Sequence, residues 1–193
     1  NTVIHQSNSS KVNTFTLTLQ GELIRNNFNI IIDGENCESH FHGLYLLNGN
    51  TLVDNHNVVD HRKPNSFSNE TYKGIMDGNS KGVFNGKIFV RPHAQKTNAF
   101  QSNRNIIISD SATINTKPQL EIWADDVKCS HGCTSGQLDE EAMFYLRSRG
   151  IAEPIAKAML LYALAVDVLE TLQHEGLRTY LDNIIAERLH KNF

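Results

Sequence analysis

A chain of 193 residues, 39% of them apolar, is long enough for one domain with a real core, or for one with a small appendage, and is not a disordered polymer. A formal net charge of -3 with no dense Lys/Arg block argues against nucleic acid as the main partner. Three cysteines, Cys37, Cys129 and Cys133, argue against a disulfide scaffold and for a reducing, cytoplasmic setting, and no leader or bilayer-spanning apolar run is visible.

The chain opens on Asn1 and enters strand-like sequence at once, which points to a fragment whose earlier coils or domains are missing. Through residue 124, short apolar and β-branched runs recur after polar interruptions. They include Phe15–Leu19, Phe28–Ile32, Leu44–Leu47, Thr51–Val53, Asn57–Val59, Gly74–Met76, Gly82–Phe84, Lys87–Val90, Asn105–Ile108, Ala112–Ile114 and Pro118–Ile122. Several alternate with period two, and none keeps a helical period for a dozen residues. Turn signals stand between them at Asp33-Gly34, Asn48-Gly49-Asn50, Asp77-Gly78-Asn79 and Asn85-Gly86. An antiparallel sandwich and a parallel β-helix both fit. The number and shortness of the runs, with Asn or Gly at many corners, favour the β-helix.

Residues 61–71 read as a longer surface loop or a strand pair across a surface, and 91–100 as a second excursion. His40 and His42 share a strand face, and His56 and His61 flank Val58-Val59. A metal would need a further ligand from a neighbouring coil, and the plainer reading is a polar surface ladder. Cys37 reads as a corner or core thiol.

The stretch from Asp125 to Cys133 gathers two carboxylates, two thiols and an imidazole in nine residues, at the boundary between strand-like and helical sequence. On a strand, Cys129, His131 and Cys133 share one face and Lys128, Ser130 and Gly132 the other. Same-face neighbours stand about 7 Å apart, too far for a closed tetrahedral site from all three. That leaves an open half-site for a soft metal completed by a partner, a polar cap on the last coil, or a cysteine nucleophile with Asp125 and Asp126 as orienters.

Residues 137–193 are helical. Asp139 caps a first helix with Glu140 and Glu141 in its opening turn and Leu138 stapled to Met143, and Gly150 follows its end. A second helix starts near Pro154 and is apolar nearly all round, so it is central to the helical layer or buried against another chain. His174-Glu175-Gly176 breaks it from a third, with a stripe of Leu177, Leu181, Ile184, Ile185 and Leu189.

The run from Lys117 to Gly132, its continuation from Leu138 to Ile151, and the pieces Tyr72-Lys73-Gly74, Phe84-Asn85-Gly86-Lys87 and Ala94-Gln95-Lys96-Thr97 strongly resemble the SufB/SufD family of iron–sulfur cluster assembly scaffolds. Asp-Asp-Val-Lys-Cys-Ser-His-Gly is the SufD form of the junction. The resemblance implies a right-handed parallel β-helix over residues 1–136, truncated at its N-terminus, and a C-terminal helical domain over 137–193. It implies a scaffold subunit and not an enzyme. The partners would be SufB, paired through the terminal coils, and the ATPase SufC, docked on the helices, with a homodimer as the expectation for the isolated chain. His131 falls on the family's functional histidine with Cys129 beside it. Together with a SufB cysteine they would hold iron or a transient iron–sulfur cluster, none of it stably bound to the isolated chain. Cys133 departs from the family, which has Ala after this His-Gly block, and reads as an extra thiol ligand or, in preference, as a small core residue. The rival readings are a stand-alone metal-binding or structural β-helix, and an enzymatic β-helix such as a sugar lyase. The lyase would want acidic and aromatic clusters along the solenoid.

Overall fold

The computed structural model describes residues 1–193, the side chain of Asn192 excepted. Ten strands alternate between two five-stranded parallel sheets. The first sheet holds β1 (Thr2–Gln6), β3 (Leu23–Ile32), β5 (Leu52–His61), β7 (Lys81–Val90) and β9 (Thr113–Ile122) in that order. The second holds β2 (Lys11–Thr18), β4 (Glu38–Leu47), β6 (Phe67–Met76), β8 (Asn98–Ile107) and β10 (Lys128–Gly136). Each strand pairs with the strand two further along the chain, so the molecule is a β-solenoid with two long strands per coil. Partners on adjacent coils lie 27 residues apart at Lys11 and Glu38, 29 at Asn26 and Asn55, and 31 at Glu70 and Gln101.

The corners explain how a chain turns twice per coil. Ser9, Asn36, Asn65 and Lys96 all have positive φ at one corner, and Gly49 and Gly78 do so at the other. The backbone ladder runs through the bend: Asn36 N–H donates to the Pro64 carbonyl, Asn65 N–H to the Gln95 carbonyl and Asn79 N–H to the Gly49 carbonyl. Cys37, directly after Asn36, is a free, buried thiol in the core, both corner and core as expected.

Two sequence expectations are corrected. Asn85-Gly86 is not a turn but the middle of β7, and residues 67–71 are not a loop but the first half of β6. Leu52 and Val53 of the run Thr51–Val53 likewise belong to the same strand as Asn57–Val59, β5. The cause is common to all three. In β5, β6 and β7 polar residues or glycine interrupt the apolar positions, because a polar strip crosses the lumen there. Asn55 and Asn57 point inward from β5, Glu70 and Tyr72 from β6, and Gln101, Asn103 and Asn105 from β8, all buried. This strip divides the lumen's apolar filling in two. On one side lie Phe28, Ile30, Phe41, Val59, Ile88 and their neighbours, and on the other Tyr45, Leu47, Val53, Met76 and Phe84.

Three helices follow: α1 (Glu140–Ser148), α2 (Glu153–Leu169) and α3 (Glu175–Asn192). Asp139 Oδ1 accepts from the Glu141 and Ala142 N–H groups, as its capping position predicts. The break between α2 and α3 falls at residues 170–173, ahead of the predicted site. His174 is the N-cap of α3, its Nδ1 accepting from Leu177 N–H, and Gly176 lies in the first turn. The apolar all-round character of α2 has a clear use. Its Leu161, Ala165 and Leu169, with Ile185 and Leu189 of α3, pack on Leu44, Leu46 and Ile75 on the outer face of the second sheet. Buried Lys73 ties the layers, its Nζ donating to the Leu164 carbonyl (3.0 Å) and Asp167 Oδ2 (2.6 Å). Among the described residues, no helix is long and apolar enough to cross a membrane.

Candidate functional site at the open coil

The solenoid stops at β9 and β10, each paired on one side only within its sheet. Pro118 sits in β9, which fits an edge strand because proline has no N–H for a further ladder bond. Strand β10 is in parallel register with β8, setting Cys129 beside Ala99, His131 beside Gln101 and Cys133 beside Asn103. Ala99, Gln101 and Asn103 are all buried in the lumen. Cys129, His131 and Cys133 therefore continue three lumen-facing columns, at the one level where no further coil covers them. The shared face expected from alternation is present, and it is the inner face.

The three differ in exposure. Cys129 is half-buried and packs against the apolar side of the lumen, while His131 and Cys133 are exposed, so Cys133 is not the small core residue expected, because no further coil covers this level. Burial pushes the Cys129 thiol up, and a hydrogen bond with the Ala99 backbone opposes that rise. It is therefore a thiol near neutrality and would have to give up a proton to ligate a metal. Among the described residues, no three His, Cys, Asp or Glu side chains converge as a complete metal set would. Asp125 and Asp126 do not orient the cysteine. They form the corner before β10, where the Asp126 carbonyl accepts from Lys96 N–H (2.6 Å) and its N–H donates to Gln95 Oε1 (2.9 Å).

The other histidines are placed elsewhere. His40 and His42 stack at 6.3 Å on the outer face, and His40 Nε2 meets Glu38 Oε1 at 2.7 Å. His42 is buried beside Phe15 and the α2–α3 connection, and desolvation, then the nearby His40, lower its pKa. His56 pairs with Asp54 at 2.8 Å. His61 is inside the solenoid, 2.9 Å from Ser68 Oγ, and desolvation drives its pKa down to about 4.

Sequence reading missed the group behind His131. Glu70 is fully enclosed, its Oε1 accepting from Asn57 Nδ2 and its Oε2 from Gln101 Nε2, both at 2.5 Å. Burial pushes its carboxyl up to about 7 against those two hydrogen bonds. The register shared by Glu70, Gln101 and His131 makes one column from a buried acid to the open edge. The signal for it is the spacing of about thirty residues between coils, which shows only once the strands are known to be unbroken through their polar centres.

Comparison with known proteins agrees with this architecture. Residues 1–164 match the family model described as SUF system FeS cluster assembly, SufBD core domain. The chain is 40% identical over 171 residues to the iron–sulfur cluster assembly protein SufD of Escherichia coli, covering 89% of this chain and 40% of that protein. It is 37% identical over 187 residues to an iron–sulfur cluster assembly SufBD family protein of Synechocystis, covering 97% and 41%. A SufBD family protein of Mycobacterium leprae is 30% identical over 182 residues, covering 90% and 46%. The chain thus spans about two fifths of the length of the first two relatives. A two-sheet parallel solenoid carrying a helical layer, with this family match across most of its length, belongs to the SufBD family of iron–sulfur cluster assembly proteins and is most similar to its SufD members.

Proposed function

We propose that this chain forms the assembly-competent end of a non-catalytic SufD-like scaffold subunit. Its last coil pairs with a SufB-type chain, and a nascent iron–sulfur cluster is the cargo held and released at that junction. The observation that supports this reading is the uncovered edge and the two potential ligands on it. An imidazole, His131, and a thiol, Cys129, continue lumen columns at a coil with unpaired backbone beyond it. Two such ligands are too few to retain a cluster, and a cysteine from the partner would complete a set that opens again when the interface shifts. That suits a scaffold, which must let its product go. Cys133 lies on the same face and is the third thiol or imidazole along it, spaced too far from Cys129 for one compact site.

The helical layer supplies a second contact. Phe144, at 74% exposure, and Tyr145, Ile155 and Met159 leave apolar surface on α1 and α2 facing away from the solenoid. This is where a SufC-type ATPase docks in our reading. Nucleotide-driven movement of that subunit would reach the cluster junction through Lys73, Asp167 and the packed face of α2.

The test is cluster reconstitution in the complex of the full-length subunit with its SufB-type and SufC-type partners. His131→Ala is expected to lose most of the cluster yield while circular dichroism and complex formation stay unchanged. Cys129→Ser should give a smaller loss. Normal yield from His131→Ala overturns the assignment. Failure to form any complex, with metal retained by the chain alone, would instead favour a stand-alone metal-binding solenoid.

A further inference from the structure

We infer that Gln101 is a positioning residue for His131, its side-chain oxygen accepting the imidazole N–H so that the other ring nitrogen faces outward, unprotonated, toward a metal. This deepens the functional reading above and rests on it for the role of the imidazole.

The inference starts from an unpaired atom. Gln101 is buried, and its Nε2 is engaged by Glu70 Oε2 at 2.5 Å. That bond fixes which way the amide is turned. A carboxylate attracts the NH2 end, and Glu70 already takes an N–H from Asn57 on its other oxygen. Gln101 Oε1 is then left buried with no hydrogen-bond partner among the described residues. A buried amide oxygen without a donor costs on the order of 1–3 kcal/mol, so a donor at this place would be strongly favoured.

The fold restricts what that donor is. Gln101 reaches across the lumen to β7 at Gly86, where any Cβ would run into the amide nitrogen. Gly86 is thus the space into which the side chain lies. On the next coil the residue beside Gly86 is Pro118, which has neither an N–H nor a polar side chain. The residue beside Gln101 is His131, on the inward-facing position of β10. At this level of the terminal coil, His131 is the side chain able to donate. Its ring is exposed in the uncovered chain. Covering of the edge by a second subunit would press it into the column.

The chemistry follows from that contact. A metal-ligating imidazole uses a neutral nitrogen, and a hydrogen bond at the other nitrogen fixes both tautomer and ring direction. Gln101 would do this without a charge next to the cluster, and Glu70 would act one step further back by holding the amide.

The experiment uses protein labelled with 15N at its histidines, free and in complex with the SufB-type partner, at about pH 8, where an exposed imidazole is neutral. Long-range 1H–15N correlation reads the tautomer of each ring, and loss of a signal in His131→Ala assigns His131. We expect one tautomer with a hydrogen-bonded N–H in the complex. Gln101→Leu should return it to the tautomer mixture of exposed His93, and the exchanged pair Gln101→Glu with Glu70→Gln, which keeps an amide N–H facing a carboxylate and an acceptor oxygen toward His131, should preserve it. A mixture for wild-type His131 in both states, or a single tautomer that survives Gln101→Leu, overturns the inference. If no complex forms, the inference fails with its premise that a second subunit covers the edge, and if Gln101→Leu does not fold, the wild-type spectra and those of the exchanged pair decide. Failure of the cargo reading is seen elsewhere, as normal cluster yield from His131→Ala, so the two failures are distinguishable.

Discussion

Glu70 and His61 are both sealed inside the solenoid, and burial acts on them in opposite directions. The acid rises from 4.5 to about 7 and the base falls from 6.5 to about 4. The folded state therefore binds more protons than the unfolded state at Glu70 between about 4.5 and 7, so this group's contribution to stability falls as pH rises through that window. At His61 the unfolded state binds more protons between about 4 and 6.5, and the contribution rises with pH. Each amounts to on the order of 3 kcal/mol, and where the windows overlap they offset each other. The stability of the wild type to urea should accordingly rise only modestly between about pH 4.5 and 6.5, through His42, whose pKa is also lowered and which has no opposing acid. Glu70→Gln removes the falling part, so its stability should increase with pH across that range. A profile parallel to the wild type would show that the carboxyl is not held up as described. A second residue-scale prediction concerns space. Gly43 lies where any Cβ would enter the Tyr72 ring. Gly43→Ala should cost about 1–3 kcal/mol in urea, the usual penalty of overpacking. The two residues differ in how far they were legible. Gly43 is followed by an apolar run that marks a strand, whereas Glu70 sits in a polar segment that reads locally as a loop. Only its neighbours in the lumen, Asn57 from the facing sheet and Gln101 on the next coil, make it an interior residue.

At the scale of elements, the join between helices and solenoid is partly apolar and partly one buried cation. Lys73 lies in a nearly closed place and bonds Asp167 and the Leu164 carbonyl, while Asp167 itself remains largely exposed. Removing the exposed partner strands the buried one, so Asp167→Ala should destabilise by about 1–2 kcal/mol, a reduced form of the cost of breaking a buried pair. Lys73→Met fills the same volume and needs no partner, and should stay within about 1 kcal/mol of wild type. The double variant should then recover most of the Asp167→Ala loss, a coupling read directly from the cycle. Additive losses would show that the pair does not hold the layers. Helix boundaries near Asp139 and Pro154 were legible because caps are local chemistry. The start of α3 was misplaced because His174 acts as a cap through its Nδ1, a role its residue type does not announce.

At the scale of the whole molecule, a solenoid has ends. Strands β9 and β10 form the end next to the helices, with a row of unpaired backbone groups. Such edges pair with whatever strand is available. The chain as given should therefore self-associate reversibly in sedimentation velocity at high micromolar concentration. Cys133→Lys places a charge on the lumen-facing side of the exposed edge and should shift the equilibrium toward monomer. A strictly monomeric wild type would mean that the end coil protects itself.

By itself, the sequence determined the strand-and-corner repeat, the three helices, the family and the face shared by Cys129, His131 and Cys133. These are set by residues a few positions apart, within reach of turn chemistry, alternation and capping. Tertiary structure alone decided that the strands run unbroken through their polar centres and that the shared face of β10 is the lumen side. It also decided that Glu70, Gln101 and His131 stand in one column. Partners in that column are about thirty residues apart in the chain but one strand spacing, about 4.8 Å, apart in space. Whether a polar side chain is solvated or enclosed depends on the coil stacked against it.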